Sequence, residues 1–253
     1  MSNLLVRGAR RHIFNLYCLA KIFVIPHYYR LTGRRPIHFL HIGKTGGTAV
    51  EETLRTIPTT IIFHCHRTTL RDIPAGDKVA FIVRDPISRF VSGFYSRKRQ
   101  GQPRYDVPWT REEKLAFGRF QTPNDLAIAL SSKDSQTKDL AVEAMQTIGH
   151  VSTHYRDWLI SADYLLSRKS DIIFIGRQET LEQDFEILKR ILGITAVSLI
   201  ADPVRSHRNP HQDTRLEPEA IENLREWYRE DYRLLDVILP LRDEIFTAIS
   251  RPL

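Results

Sequence analysis

The sequence has little cysteine: Cys18 and Cys65 are the only two, and neither belongs to a CxxC pair. That argues against a disulfide framework, and a reducing compartment is the simpler expectation. Repeats, low-complexity tracts and long apolar runs are also missing. The apolar stretch from Ile13 to Ile25 is broken by Asn15 and Lys21, whereas about 20 apolar residues are needed to cross a bilayer. No small-residue cleavage site follows it, which argues against a signal peptide. Arg7, Arg10 and Arg11 precede the stretch. Two readings fit it: a helix packed on the domain, which is the expected one, or a basic-flanked helix lying in a membrane interface.

What is present is ordinary in bulk. Hydrophobic residues make up 42% and charged residues 26%, as in globular chains, and 253 residues can bury a substantial core. Lys and Arg number 37 against 30 Asp and Glu, a net charge of +7. An anionic partner is favoured, but nucleotide, acidic glycan, nucleic acid and membrane surface all satisfy that charge. Pro26 and Gly33-Arg34-Arg35-Pro36 mark a join. The expected division is an N-terminal apolar and basic helical segment, 1–36, and a catalytic domain, 37–253.

The most informative stretch runs from Ile37 to Thr48, where an apolar run ends in Gly43-Lys44-Thr45-Gly46-Gly47-Thr48. Val50, Leu54 and Ile57 then follow at helical spacing. Strand, glycine turn and helix start make an anion cradle, because the first N–H groups of a helix lack partners and sit at its positive end. Gly46 and Gly47 permit close backbone approach. Lys44 adds a charge, and Thr45 and Thr48 add hydroxyl donors. A glycine-rich turn with an exposed lysine fits the same residues. The stretch is not a Walker A loop, in which the lysine follows the second glycine.

Thr59 to Phe63 reads as a second strand leading into His64-Cys65-His66. Alternation sets both histidines on one face and Cys65 on the other. Metal ligation, an ordinary surface position and general-base chemistry all fit the pair, and no third metal ligand stands nearby. A third strand, Lys78 to Val83, ends in Arg84-Asp85-Pro86. Asp85 suits an N-cap and Pro86 the first helical position. Ile87, Phe90, Val91, Phe94 and Tyr95 form an apolar face, and Ser88, Arg89 and Ser92 a polar one. Two anion-ready junctions thus occur in one chain.

Together, Ile42 to Thr48, Arg84-Asp85-Pro86, Arg89 and Ser92 resemble the paired signatures of sulfotransferases that use 3′-phosphoadenosine 5′-phosphosulfate (PAPS). Phe63-His64-Cys65-His66 is similar to a segment of the heparan sulfate 2-O-sulfotransferase type, and Phe174 to Phe185 resembles a further shared block. The resemblance implies an α/β fold, with a P-loop-like, mostly parallel sheet flanked by helices and nucleotide at the strand C-terminal ends. It implies that Lys44, Thr45, Gly46, Gly47 and Thr48 hold the 5′-phosphosulfate and that Arg84 and Ser92 hold the 3′-phosphate. His66 would be the catalytic base, with His64 as the next candidate, and Lys44 would stabilise the leaving group. Arg208, in the basic loop Arg205 to Pro210, is either a further cofactor ligand or part of a surface turn.

The chain departs from the family in places. Gly43 replaces a frequent proline, no long Golgi-type anchor precedes the domain, and the acceptor-facing segments match nothing legible. The acceptor implied is a carbohydrate or another hydroxyl compound. No metal and no nucleic acid are expected. The expected location is cytoplasmic, with the N-terminal segment as a route to a membrane surface.

The basic cluster Arg97, Lys98, Arg99 and Arg104 fits either an acceptor-binding edge or a solvated face. Trp158 reads as packing. Residues 221–235 and 239–249 read as two C-terminal helices. The competing classes are a magnesium-dependent nucleotide kinase, which needs an acid and a hydroxyl placed for the metal, and a basic glycan- or nucleic-acid-binding module.

Overall fold

The computed structural model describes the backbone of residues 2–202, 204–205 and 214–250, and side chains from 16 to 249 within those bounds. A long helix α1 (Ser2–Leu31) leads into β1 (Ile37–Leu40), α2 (Gly47–Leu54), β2 (Ile61–Phe63) and β3 (Lys78–Val83). Helices α3 (Pro86–Lys98), α4 (Arg111–Arg119), α5 (Pro123–Ala129), α6 (Ser135–Thr147), α7 (Arg156–Leu159) and α8 (Ala162–Ser167) follow. The chain then returns as β4 (Ile172–Arg177), α9 (Leu181–Leu192), α10 (Pro218–Trp227) and α11 (Arg229–Ser250).

The four strands form one parallel sheet in the order β2-β1-β3-β4. Their apolar runs have no polar face because both sides of the sheet are covered. Leu40, Val79, Phe81 and Ile175 face Tyr155, Trp158 and α11 residues Leu235 and Ile238. Phe39, Ala80, Ile82 and Phe174 face Val50 and Leu54 of α2 and Phe185 and Leu188 of α9. A separate helical core joins α3, α4, α5, α6 and α10 around Phe90, Phe94, Phe117 and Leu224. The parallel order places the C-terminal ends of β1 and β3 side by side, with the chain leaving β1 toward one neighbour and β3 toward the other. That crevice is where such sheets bind ligands.

Four expectations are corrected. Helix α1 runs through Pro26 to Leu31 instead of ending at the proline. The C-terminal break falls at Tyr228, pinned in the core by its hydroxyl bond to Val151 O (2.7 Å), and α11 continues through Pro240. Arg89 is not on a solvated stripe. It is buried, hydrogen-bonded to Thr153 Oγ1 (3.1 Å), surrounded by Tyr155, Trp158 and Tyr228, and 3.6 Å from Asp231.

The fourth correction concerns the cysteines, which form a Cys18–Cys65 disulfide with Cα atoms 6.1 Å apart. It ties α1 to the end of β2, a pairing across 47 residues that local spacing does not reveal. Lys21 Nζ donating to Phe63 O (2.5 Å) and an Arg30–Asp77 ion pair fasten the helix at two further points. Unreduced, denatured protein is therefore expected to show no reactive thiol, and reduction to release both. Removing the cross-link should lower stability toward urea by about 2–4 kcal/mol. Reactive thiols before reduction would contradict the pairing.

Candidate functional site

The loop after β1 is shaped by local backbone demands. Lys44 (φ 68°) and Gly46 (φ 93°) both take the left-handed conformation, which is uncommon for a side chain such as lysine. A Cβ on Gly46 would stand 2.9 Å from Leu181 Cδ2, and one on Gly47 would stand 3.0 Å from His41 Cδ2. The loop can close on α2 only with glycine at Gly46, where backbone angle and contact agree. Gly46 caps α2 without a side-chain hydrogen bond, so the positive end of the helix is left open at the cavity.

The cavity measures about 1100 Å³ and lies over the strand ends. Lys44, Gly46, Gly47 and Thr48 line it from the first junction, Arg84 and Ser92 from the second, and His66 from the end of β2. Gln178, Glu179 and Thr180, just beyond β4, form part of its wall. Arg84 Nη1 donates to Lys44 O (3.3 Å), which joins the two junctions directly. The Arg84 backbone is held by Tyr155, whose hydroxyl accepts from Arg84 N (2.8 Å) and donates to Arg84 O. Asp85 caps α3 by accepting from Ser88 N (2.8 Å), and its own N–H donates to Glu179 Oε1 (2.7 Å).

Two expected site residues sit elsewhere. Thr45 is buried, and its hydroxyl donates to Ile42 O (2.9 Å), so it braces the turn from inside. His64 is buried beside His38, with His64 Nε2 and His38 Nδ1 2.8 Å apart, and it does not line the cavity. Strand β2 ends at Phe63, so alternation no longer holds the two histidines on one face. Burial, then His38, lowers the His64 pKa to about 3. Arg208 lies outside the described residues. In the basic cluster, Arg97 is committed to Glu113 (2.5 Å) and Arg104 to Glu52 (2.8 Å), so neither is a solvated charge.

His66 is oriented by two neighbours, His41 and Trp158. Its Nδ1 lies 2.9 Å from His41 O, and a carbonyl can only accept, so Nδ1 carries the hydrogen. Nε2 is thereby left as the lone-pair nitrogen of the neutral ring. Trp158 Nε1 donates to His66 O (2.7 Å), and the His41 ring packs 4.2 Å from the His66 ring. His41 Nδ1 in turn meets Glu51 Oε2 at 3.3 Å. His66 stays open to the cavity on one side, while protein crowds the other. Burial on that side, then His41, pulls its pKa down to about 4, and the bond to His41 O and the Glu51 carboxylate moderate the pull. His66 is therefore neutral at pH 7 and able to accept a proton.

Sequence reasoning missed His41 and His150, which also line the cavity. His41 stands immediately before the glycine turn, a position that could have marked it. His150 offered no signal, since it reaches the cavity from a loop distant in sequence. Burial, then Lys44, pushes its pKa well down.

Cations gather beside the two junctions, while Glu179 and Glu182 stand in the wall beyond β4. Burial, then Arg99 and Arg84, lowers the Lys44 pKa to about 7. Burial also lowers that of Arg84, whose Nε is buried without a hydrogen-bond partner. An anion would recharge Lys44 and satisfy the Arg84 guanidinium. Among the described residues, no cluster of three His, Cys, Asp or Glu side chains is placed to hold a metal ion. An NMR titration, assigned through Lys44→Arg, should find one lysine titrating near 7 in the free protein, against about 10.4 for ordinary lysines. Phosphate should move that titration upward. A Lys44 titration near 10 without anion would contradict this electrostatic picture.

Comparison with known proteins agrees with this geometry. A model of the sulfotransferase family matches residues 27–236, which include both junctions, His66 and all four strands. No curated protein and no solved structure matches the chain. With well over half of its length matched and its two anion-ready junctions meeting at one cavity, the chain belongs to the sulfotransferase family.

Proposed function

We propose that the chain transfers a sulfuryl group from PAPS to a hydroxyl of a carbohydrate. The observation that carries this reading is the convergence on one cavity of the open α2 terminus, Lys44, Arg84, Ser92 and a neutral His66. The residues fit a donor with two anionic ends. Lys44, Thr48 and the Gly46–Gly47 backbone suit its 5′-phosphosulfate, and Arg84 with Ser92 suits its 3′-phosphate. PAPS would supply the activated sulfuryl group and a bisphosphate leaving group.

In this scheme His66 Nε2 takes the acceptor's hydroxyl proton as the acceptor oxygen bonds to sulfur. The Lys44 ammonium neutralises charge on the bridging oxygen released when its bond to sulfur breaks. An anionic ligand raises the pKa of Lys44 and His66 alike, so Lys44 is charged and His66 becomes a stronger base when the cavity is filled. Positioning and charge stabilisation then supply most of the rate. The inward-turned Thr45 hydroxyl disfavours the magnesium-dependent kinase reading, which needs a hydroxyl on the metal. The Cys18–Cys65 bond favours an oxidising compartment over the cytoplasmic one that cysteine count suggested.

The test pairs two variants in a radiolabelled sulfate-transfer assay with polysaccharide acceptors, alongside binding of 3′,5′-adenosine bisphosphate. His66→Ala should lose about 10²–10⁴ in turnover with bisphosphate binding retained. Arg84→Ala should weaken bisphosphate binding about tenfold or more, by loss of a charge-assisted contact. Near-normal turnover in His66→Ala would overturn the base assignment. Unchanged bisphosphate affinity in Arg84→Ala would overturn the 3′-phosphate site.

A further inference from the structure

Helix α1 has an outer face unlike the rest of the surface. Leu16, Leu19, Phe23, Val24 and Leu31 are each at least half exposed, as are Tyr17 and Tyr28. Among the described residues they make up more than half of the exposed large hydrophobic side chains, and the others are spread along the rest of the chain. Scattered exposed apolar residues are normal, whereas a contiguous set marks a binding surface. At 100° per residue these side chains share one half of the helix. Cys18, Lys21 and Ile22 occupy the half fastened to the domain.

Charge indicates what covers the outer face. The first carboxylate side chain in the chain is Glu51, so α1 and the segment after it carry no acid. Arg7, Arg10 and Arg11 stand in the sequence toward one end of the helix, and Arg34 and Arg35 beyond the other, while Arg30 is paired with Asp77. A second copy of this face would set like charges together. Anionic lipid headgroups would complement both ends, while the apolar side chains enter the acyl boundary and the tyrosines sit at headgroup level. Among the described residues no helix is long and apolar enough to cross a membrane.

We infer that α1 is an interfacial docking helix for an anionic lipid bilayer, lying flat on its outer face. The Cys18–Cys65 bond makes the attachment rigid, because it joins the docked helix to the residue next to His66. The catalytic domain is thereby held against the membrane surface through α1.

Co-sedimentation of the full, oxidised chain with phosphatidylcholine vesicles, with and without phosphatidylglycerol, tests this. The chain should bind vesicles containing phosphatidylglycerol and be released by salt. The double variant Phe23→Ser/Val24→Ser should lower partitioning about tenfold or more. Arg34→Glu/Arg35→Glu should lower it about fivefold or more per residue. All four positions are exposed, so circular dichroism and bisphosphate binding should stay unchanged and separate lost docking from lost folding. Absence of binding to anionic vesicles, or equal binding by the Phe23/Val24 variant, would overturn the inference. So would a dimer in solution that the Phe23/Val24 variant dissolves.

Discussion

Partly desolvated positive charge at the ends of β1 and β3 is the condition on which the site depends. A lysine, two arginines and three histidines border one cavity at the ends of parallel strands, with Glu179 and Glu182 in its wall. Burial lowers the pKa of Lys44, Arg84, His66 and His150. Isolated, such groups are costly to desolvate. Their arrangement is tolerable because the sheet, the Tyr155 clamp on Arg84 and the Trp158 bond to His66 hold them in place. Binding of a polyanion would relieve the desolvation, recharge Lys44 and strengthen His66 as a base in one event.

The scaffold beneath the site is braced by a second buried charge. Arg89 is buried among Tyr155, Trp158 and Tyr228, bonded to Thr153 and facing Asp231. Asp231 also accepts from Tyr155 N (2.6 Å). Two of these residues, Tyr155 and Trp158, are the ones that hold Arg84 and His66. Site and core are thus one network, and α11 takes part in it through Asp231.

What could be read from the sequence was what local chemistry decides. The glycine turn into α2, the Asp85 cap with Pro86, the buried strands and the Gly193 stop of α9 all rest on neighbours a few residues apart. Thr45, His64 and Arg89 looked available because residue type and spacing do not say which way a side chain turns. Tertiary contacts turned each inward, to Ile42 O, His38 and Thr153. The disulfide and the contribution of His150 were illegible for the same reason: they depend on contacts between segments distant in sequence. Pro26 and Pro240 misled, since packing can carry a helix through a missing hydrogen bond.

Calorimetric binding of 3′,5′-adenosine bisphosphate in EDTA, at pH 8 and in buffers of different ionisation enthalpy, tests the central claim most directly. The account predicts metal-independent binding accompanied by proton uptake, because Lys44 titrates near 7 when free and higher beside an anion. Affinity should therefore fall as pH rises above 7. ATP with magnesium, run alongside, should bind far more weakly. Preference for ATP with magnesium, or bisphosphate binding without proton uptake, would contradict a cavity built around partly desolvated positive charge for a 3′-phosphorylated donor.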